Sequence, residues 1–85
     1  MMTNVTLYTA PWCGPCKIFK PLLDRVAAEL KVPVTVVDID ADPSAAAENG
    51  VRSVPTLVVE KNGDEFHRHS GTMHEAHLRE MIGLG

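Results

Sequence analysis

Two cysteines three positions apart, at the start of a long amphipathic segment, restrict the fold of this chain more than any other feature. Cys13 and Cys16 enclose Gly14 and Pro15. Apolar residues then recur at three- and four-residue steps, with charged residues between them, which predicts one amphipathic helix over residues 14–31. Closing a loop this short removes little chain entropy, so chemistry is a better reason for the cysteine pair than stability.

The rest of the chain alternates between strand and helix patterns. Runs rich in β-branched residues predict strands over residues 4–9, 34–39 and 56–60, and Asn62-Gly63 predicts a hairpin turn into a polar edge strand over residues 65–70. The second run is almost continuously β-branched, which is typical of a strand covered on both faces in a parallel β-α-β unit. The element order βαβαββα predicts one α/β domain over residues 1–85.

Three local signals predict the ends of the two later helices. Asp42 followed by Pro43 is typical of a helix N-terminus, and Gly50 is expected to end that short helix as a left-handed C-cap. Thr72 and Glu75 fit a capping box at the start of the last helix.

Length and charge exclude several classes of function. The chain has 85 residues, with 8 Lys+Arg, 11 Asp+Glu and a formal net charge of −3. Mild acidity without a basic run argues against nucleic-acid or membrane-surface binding. The first residues carry no basic signal-peptide region, so we expect a cytoplasmic protein. A domain this small has little room for an internal pocket, which places any active site at the surface.

The position of the cysteines at a helix start indicates redox chemistry. The positive end of a helix favours the thiolate of its first cysteine, which predicts Cys13 as an exposed nucleophile. Cys16 lies at the margin of the apolar stripe and is expected to be shielded, as the resolving residue. Cys13 would attack a substrate disulfide, and Cys16 would then attack Cys13 to release the reduced substrate. Gly14 permits the tight turn, and Pro15 fixes φ in the first helical turn.

The segment Trp12-Cys13-Gly14-Pro15-Cys16 resembles the active-site signature of the thioredoxins. Residues 36–40, 51–56 and 61–63 are similar to further segments of that family, in the same order and spacing. The resemblance covers nearly the whole chain from Val5 but not the additional N-terminal strand and helix of ordinary thioredoxins.

The resemblance implies a fold and a site. The fold would be thioredoxin-like, with a four-stranded mixed sheet of order 2-1-3-4 flanked by three helices. A cis peptide bond would precede Pro55 beside the cysteines, and the backbone of Val54 would pair with an extended substrate segment. Trp12 and Gly71 would complete a shallow substrate groove, although Trp12 fits packing at the edge of the fold equally well.

The resemblance also implies the partners. No cofactor or metal would be bound, because the active group is a reversible Cys13–Cys16 disulfide. Electrons would come from NADPH through a flavoprotein thioredoxin reductase. They would pass to protein disulfides such as those of ribonucleotide reductase or peroxidases, and the protein would act as a monomer.

Three positions depart from the thioredoxin pattern. Leu7 and Val36 stand where the family has a buried aspartate and a lysine, and Thr9 stands where an aromatic residue is usual. Without that aspartate, either another base such as water deprotonates Cys16 or the resolving step is slower.

Other functions remain open on the sequence alone. A glutathione-dependent glutaredoxin has the same size and element order, but Ser70-Gly71-Thr72-Met73 replaces its Gly-Gly-x-Asp segment. A zinc site would need two further ligands beside the cysteines, and the available histidines are His67, His69, His74 and His77. The spacing argues against this, because Cys16 and His67 are about fifty positions apart, whereas zinc fingers need roughly a dozen. An iron–sulfur cluster shared between two chains and a non-enzymatic metal- or partner-binding module are the remaining alternatives.

Overall fold

A computed structural model describes residues 2–84, except the side chain of Leu84. Within these residues lie four strands and three helices: β1 (Thr3–Thr9), α1 (Gly14–Leu30), β2 (Val34–Asp38), α2 (Pro43–Glu48), β3 (Thr56–Lys61), β4 (Asp64–Ser70) and α3 (Glu75–Leu84). The sheet has the order β2-β1-β3-β4. Strands β1 and β2 are parallel, and the other neighbours are antiparallel. The predicted element order and mixed sheet are confirmed.

The helices cover both faces of the sheet. Alternate side chains of a strand point to opposite faces, so Val5 and Leu7 of β1 join the core with α1 and α3, whereas Tyr8 packs with Ala46 of α2. The main cluster is Val5, Leu7, Phe19, Leu23, Val26, Leu57, Val59, Leu78, Met81 and Ile82. Each fully buried large apolar side chain contributes about 1.5–3 kcal/mol to folding. This core packs α1 and α3 against one face of the sheet.

The second strand is parallel to β1, as predicted, but the expectation that both its faces are covered is wrong. β2 lies at the edge of the sheet, and the Val36 side chain is 45% exposed. The opposite face of the sheet carries polar groups as well: Thr6 Oγ1 of β1 donates a hydrogen bond to Glu60 Oε1 of β3 at 2.8 Å. β-Branched residues suit exposed and buried strands alike, so their density did not distinguish the two environments.

The turn between β3 and β4 and the start of α2 agree with their sequence signals. Asn62 and Gly63 have φ values of 54° and 87° and join β3 to β4, because a tight hairpin needs left-handed residues at these positions. Asp42 Oδ1 accepts a hydrogen bond from Ala45 N at 3.1 Å and caps α2. The C-cap of α2 is Asn49, and Gly50, with φ of 67°, is the left-handed residue after it rather than the cap itself.

The predicted capping box at Thr72 is wrong. Helix α3 begins at Glu75, and the His74 carbonyl accepts its first helical hydrogen bond, from Leu78 N at 3.0 Å. Thr72 belongs to the connecting segment, where its carbonyl lies 3.2 Å from His69 Nε2. The preceding residue is fixed by a hydrogen bond from Gly71 N to the Pro55 carbonyl at 2.8 Å. These bonds hold the chain out of the helix for two more residues than a cap at Thr72 would.

An ion-pair network joins α1 to α3 and makes stability depend on pH. Hydrogen bonds from Arg79, and then from Arg25, hold the pKa of Glu75 below its usual value of 4.5. A carboxyl whose folded-state pKa is lowered stabilises the fold above its unfolded pKa, and this contribution is lost as pH falls through the folded pKa.

Glu75→Gln is therefore expected to flatten the acid side of the stability profile. The melting temperature of the parent should fall more steeply than that of the variant between about pH 5 and about pH 3, as followed by circular dichroism. Glu80→Gln removes an exposed charge from the same helix and should keep the parent profile. Parallel profiles for parent and Glu75→Gln would contradict the assignment. Because these groups are exposed, the difference should shrink in high salt.

Candidate active site

The cysteines lie where the end of β1 meets the start of α1. Cys13 is the N-cap of α1, and its Sγ accepts a hydrogen bond from Cys16 N at 3.2 Å. Cys13 N in turn donates to the Ala10 carbonyl at 3.1 Å, which closes the preceding turn. Pro15 occupies the first helical turn, where backbone N–H groups have no helical partner and its missing donor costs nothing. The Cys13 sulfur is thus directed at the positive end of the helix.

The two cysteines form a disulfide, with their Cα atoms 5.3 Å apart. Cys16 is 2% exposed, which confirms its predicted shielding, but Cys13 is only 3% exposed in this oxidised state. The expectation of an exposed Cys13 is therefore wrong for the disulfide form. Its bond to Cys16 and its packing in a small cluster with Ala10, Ile39 and Val54 cover the sulfur.

The segment before β3 lies beside the disulfide. The peptide bond between Val54 and Pro55 is cis, as the resemblance implies, and Val54 packs against the cysteine cluster. The Pro55 carbonyl accepts the hydrogen bond from Gly71 N at 2.8 Å, so the residue that follows β4 is joined to the same place. The structure therefore brings Val54, Pro55 and Gly71 to the edge of the sheet that carries the cysteines.

Trp12 lies at the surface of this region. Its side chain is 65% exposed, and its indole Nε1 donates a hydrogen bond to Asp40 Oδ2 at 2.9 Å. Asp40 was not among the predicted site residues. The available signal was topological: β1 and β2 are parallel, so residues that follow their carboxyl ends lie at the same edge of the sheet.

Asp40→Ala is expected to release the Trp12 ring. Trp12 is the only tryptophan of the chain, so fluorescence anisotropy should report greater local ring mobility in the variant. The free energy of unfolding should change by less than about 1 kcal/mol, because the bond is exposed to water. Asp64→Ala, at the first residue of β4, should leave the anisotropy unchanged. Unchanged Trp12 mobility in Asp40→Ala would contradict a restraining role.

Two of the three positions that depart from the thioredoxin pattern, Leu7 and Val36, are apolar neighbours in the structure. Leu7 of β1 is fully buried, and its Cα partner in the parallel register is Val36 at the exposed sheet edge. Thr9 lines a shallow surface depression with Cys16, Lys17, Lys20 and Pro21. Leu7 and Val36 therefore leave these two register partners without the carboxylate and ammonium groups that the resemblance would place there.

Two of the four histidines pack against each other. The rings of His69 on β4 and His77 on α3 are 5.8 Å apart between centroids. Over residues 2–84, no three His, Cys, Asp or Glu side chains form a group that could hold a metal ion. In the same range no helix is both long and apolar enough to cross a bilayer.

Comparisons with known proteins agree with this site. A family model described as Thioredoxin matches residues 2–83. Thioredoxin of Chlamydia muridarum is 43% identical over 76 residues, which are 88% of this chain and 74% of that protein. Thioredoxin of Porphyra purpurea is 38% identical over 77 residues, covering 88% of this chain and 72% of that protein.

Solved structures give the same result. A thioredoxin variant from Halobacterium salinarum NRC-1 has a TM-score of 0.92 at 30% identity, over 96% of this chain and 73% of that chain. Fasciola hepatica thioredoxin has a TM-score of 0.89 at 38% identity, over 98% of this chain and 80% of that chain.

Fold and disulfide together define a thiol–disulfide oxidoreductase with a mixed sheet and a cysteine pair at a helix N-terminus. The chain belongs to the thioredoxin family. Thioredoxins bind no cofactor and act on protein disulfides through a reversible active-site disulfide, which Cys13 and Cys16 form here. Family membership implies disulfide-containing protein substrates and a reductase partner, and it favours a thioredoxin over the glutaredoxin alternative.

Proposed function

We propose that this chain, as a single domain over residues 1–85, reduces protein disulfides with Cys13 as nucleophile and Cys16 as resolving residue. The observation that carries this assignment of roles is the hydrogen bond from Cys16 N to Cys13 Sγ at the start of α1. After reduction the same backbone N–H and the helix N-terminus favour negative charge on Cys13. Cys16 lies inside the first turns of the helix and is not its N-cap.

The reaction consists of two thiol–disulfide exchanges. The Cys13 thiolate attacks one sulfur of the substrate disulfide, and the other substrate sulfur leaves as a thiolate and takes up a proton. Cys16 then loses its proton and attacks Cys13 Sγ, which releases the second substrate thiol and leaves the Cys13–Cys16 disulfide. Two electrons and two protons pass from the dithiol to the substrate. Because Leu7 and Val36 are apolar, water is the base that we propose for Cys16.

The residues around the disulfide would hold the substrate chain. Val54 packs against the cysteine cluster, and its backbone is proposed to pair with an extended substrate segment. Gly71 is fixed to Pro55 on one side of the site, and Trp12 is held at the surface by Asp40 on the other. The proposed substrate groove thus consists of Trp12, Val54, Pro55 and Gly71. Gly14 and Pro15 shape the turn between the two sulfurs.

The proposed electron donor is a flavoprotein thioredoxin reductase that uses NADPH, in the cytoplasm, with the chain acting as a monomer. Proposed recipients are protein disulfides such as those of ribonucleotide reductase or peroxidases. Thioredoxin relatives over 88% of the chain support these partners.

The test compares two electron sources for reduction of one protein disulfide. We expect turnover with NADPH and thioredoxin reductase to be at least about tenfold faster than with glutathione and glutathione reductase. Faster turnover with glutathione would favour the glutaredoxin alternative. Absence of turnover with both would favour a non-enzymatic binding module.

A further inference from the structure

We propose that an apolar groove along α1 takes up a large apolar side chain of the substrate protein, so that disulfides flanked by such residues are reduced preferentially. This inference rests on the proposed function, because it extends the site of disulfide exchange. The groove, called here the Ile18 groove, has a volume of about 550 Å³. The residues that carry the inference are Gly14, Pro15, Ile18, Leu22, Thr72 and Met73.

Ile18 is the first observation. Its side chain is 79% exposed, although α1 buries Phe19, Leu23 and Val26 in the core. A single exposed apolar residue is ordinary on a protein surface. Here, however, the exposed isoleucine borders a concave surface, and partly buried Leu22 and Met73 are on the same groove. The groove therefore offers an apolar ligand several contacts rather than one.

The groove includes the two residues that separate the cysteines. Gly14 and Pro15, which line it, lie between Cys13 and Cys16 in the sequence. Ile18 follows Gly14 by four positions on α1, so both are on one helix face, and Leu22 is one turn further. A substrate chain bonded to Cys13 would thus have its neighbouring side chains within reach of the Ile18 groove.

The opposite wall is fixed to the substrate site. Thr72 and Met73 follow Gly71, whose N–H is bonded to the Pro55 carbonyl at 2.8 Å. His69 Nε2 lies 3.2 Å from the Thr72 carbonyl and holds this wall at a second point. Methionine is flexible and packs against varied apolar shapes, so Met73 suits both aliphatic and aromatic ligands. The charged side of α1, with Lys17 and Lys20, borders a different depression.

The test uses pre-reduced protein and single-turnover oxidation by peptide disulfides. Two peptides differ only in having Leu or Ser at the positions that flank the cysteine, and bis(2-hydroxyethyl) disulfide serves as a substrate too small to reach the groove. The parent should react at least about tenfold faster with the Leu peptide than with the Ser peptide. Ile18→Gln should lose most of this preference and keep the parent rate with the small disulfide. Glutamine favours helix at least as well as isoleucine, so the exposed substitution should preserve the fold.

Phe66→Gln is the matched control. Phe66 is 54% exposed on β4, outside the Ile18 groove, and its replacement should keep the full preference for the Leu peptide. Equal rates for the two peptides in the parent, or an unchanged preference in Ile18→Gln, would overturn the groove proposal while leaving the proposed function intact. Failure of the parent to reduce even the small disulfide would instead overturn the proposed function, and the groove proposal with it.

Discussion

Replacement of Cys13 by Ser is expected to lower the rate of protein-disulfide reduction by at least about a thousandfold, because a serine hydroxyl neither ionises near neutral pH nor forms a disulfide. Cys16→Ser should also stop turnover, but at a later stage. Its Cys13 still attacks the substrate, and no second sulfur is present to release the mixed disulfide. Non-reducing electrophoresis after mixing with a disulfide-containing protein should therefore show a covalent complex for Cys16→Ser and little for Cys13→Ser.

Reduced parent protein is the matched control for the fold, since it also lacks the Cys13–Cys16 bond. The two variants and the reduced parent should have similar stabilities, because none of the three has the Cys13–Cys16 bond and each substitution exchanges one sulfur for an oxygen. Trapping by Cys13→Ser and none by Cys16→Ser would reverse the assigned roles.

Leu7→Asp is expected to destabilise the fold on the order of 2–5 kcal/mol from lost packing, with a further cost for burying a polar group. Leu7 is fully buried in the core that α1 and α3 share. Its register partner Val36 is 45% exposed, so Val36→Lys should change stability by only about 0.5 kcal/mol. Urea denaturation of the two variants measures this contrast, and similar losses for both would contradict the observed burial.

Leu7→Asp also tests whether a carboxyl group at position 7 assists the deprotonation of Cys16. Burial raises the pKa of a carboxyl group by disfavouring its charged form, so an aspartate at position 7 would be able to exchange protons near neutral pH. Resolution of the mixed disulfide by Cys16 should then be faster in Leu7→Asp than in the parent. Leu7→Asn is the control, since it loses similar packing but cannot titrate. An unchanged resolving rate in folded Leu7→Asp would show that Cys16 already has an adequate base.

The fold was predictable because its strongest signals are local. The periodicity of α1, the Asn62-Gly63 turn and the Asp42-Pro43 start of α2 each reflect interactions within a few residues. The cysteine spacing also predicted the Cys13–Cys16 pair, whereas the resemblance, not residue spacing, implied the cis bond before Pro55.

The features that the sequence did not predict depend on contacts between distant segments. Trp12 and Asp40 are 28 positions apart and meet only because β1 and β2 are parallel neighbours. Cys13 belongs to a buried cluster against which Ile39, after β2, and Val54, before β3, are packed. The delayed start of α3 follows from the bond between Gly71 and Pro55. Local propensity contains no information on these contacts, so each was misjudged or missed.

Differential alkylation of the reduced protein tests the central claim most directly. Cys13 and Cys16 are almost equally buried, at 3% and 2% exposure in the oxidised form, so this static exposure gives neither thiol an advantage. Cys13 should still react with iodoacetamide at pH 7 at least about tenfold faster than Cys16, because the helix N-terminus favours its thiolate. Peptide mass spectrometry measures the two rates. Equal rates, or faster modification of Cys16, would contradict the assignment of Cys13 as the nucleophile.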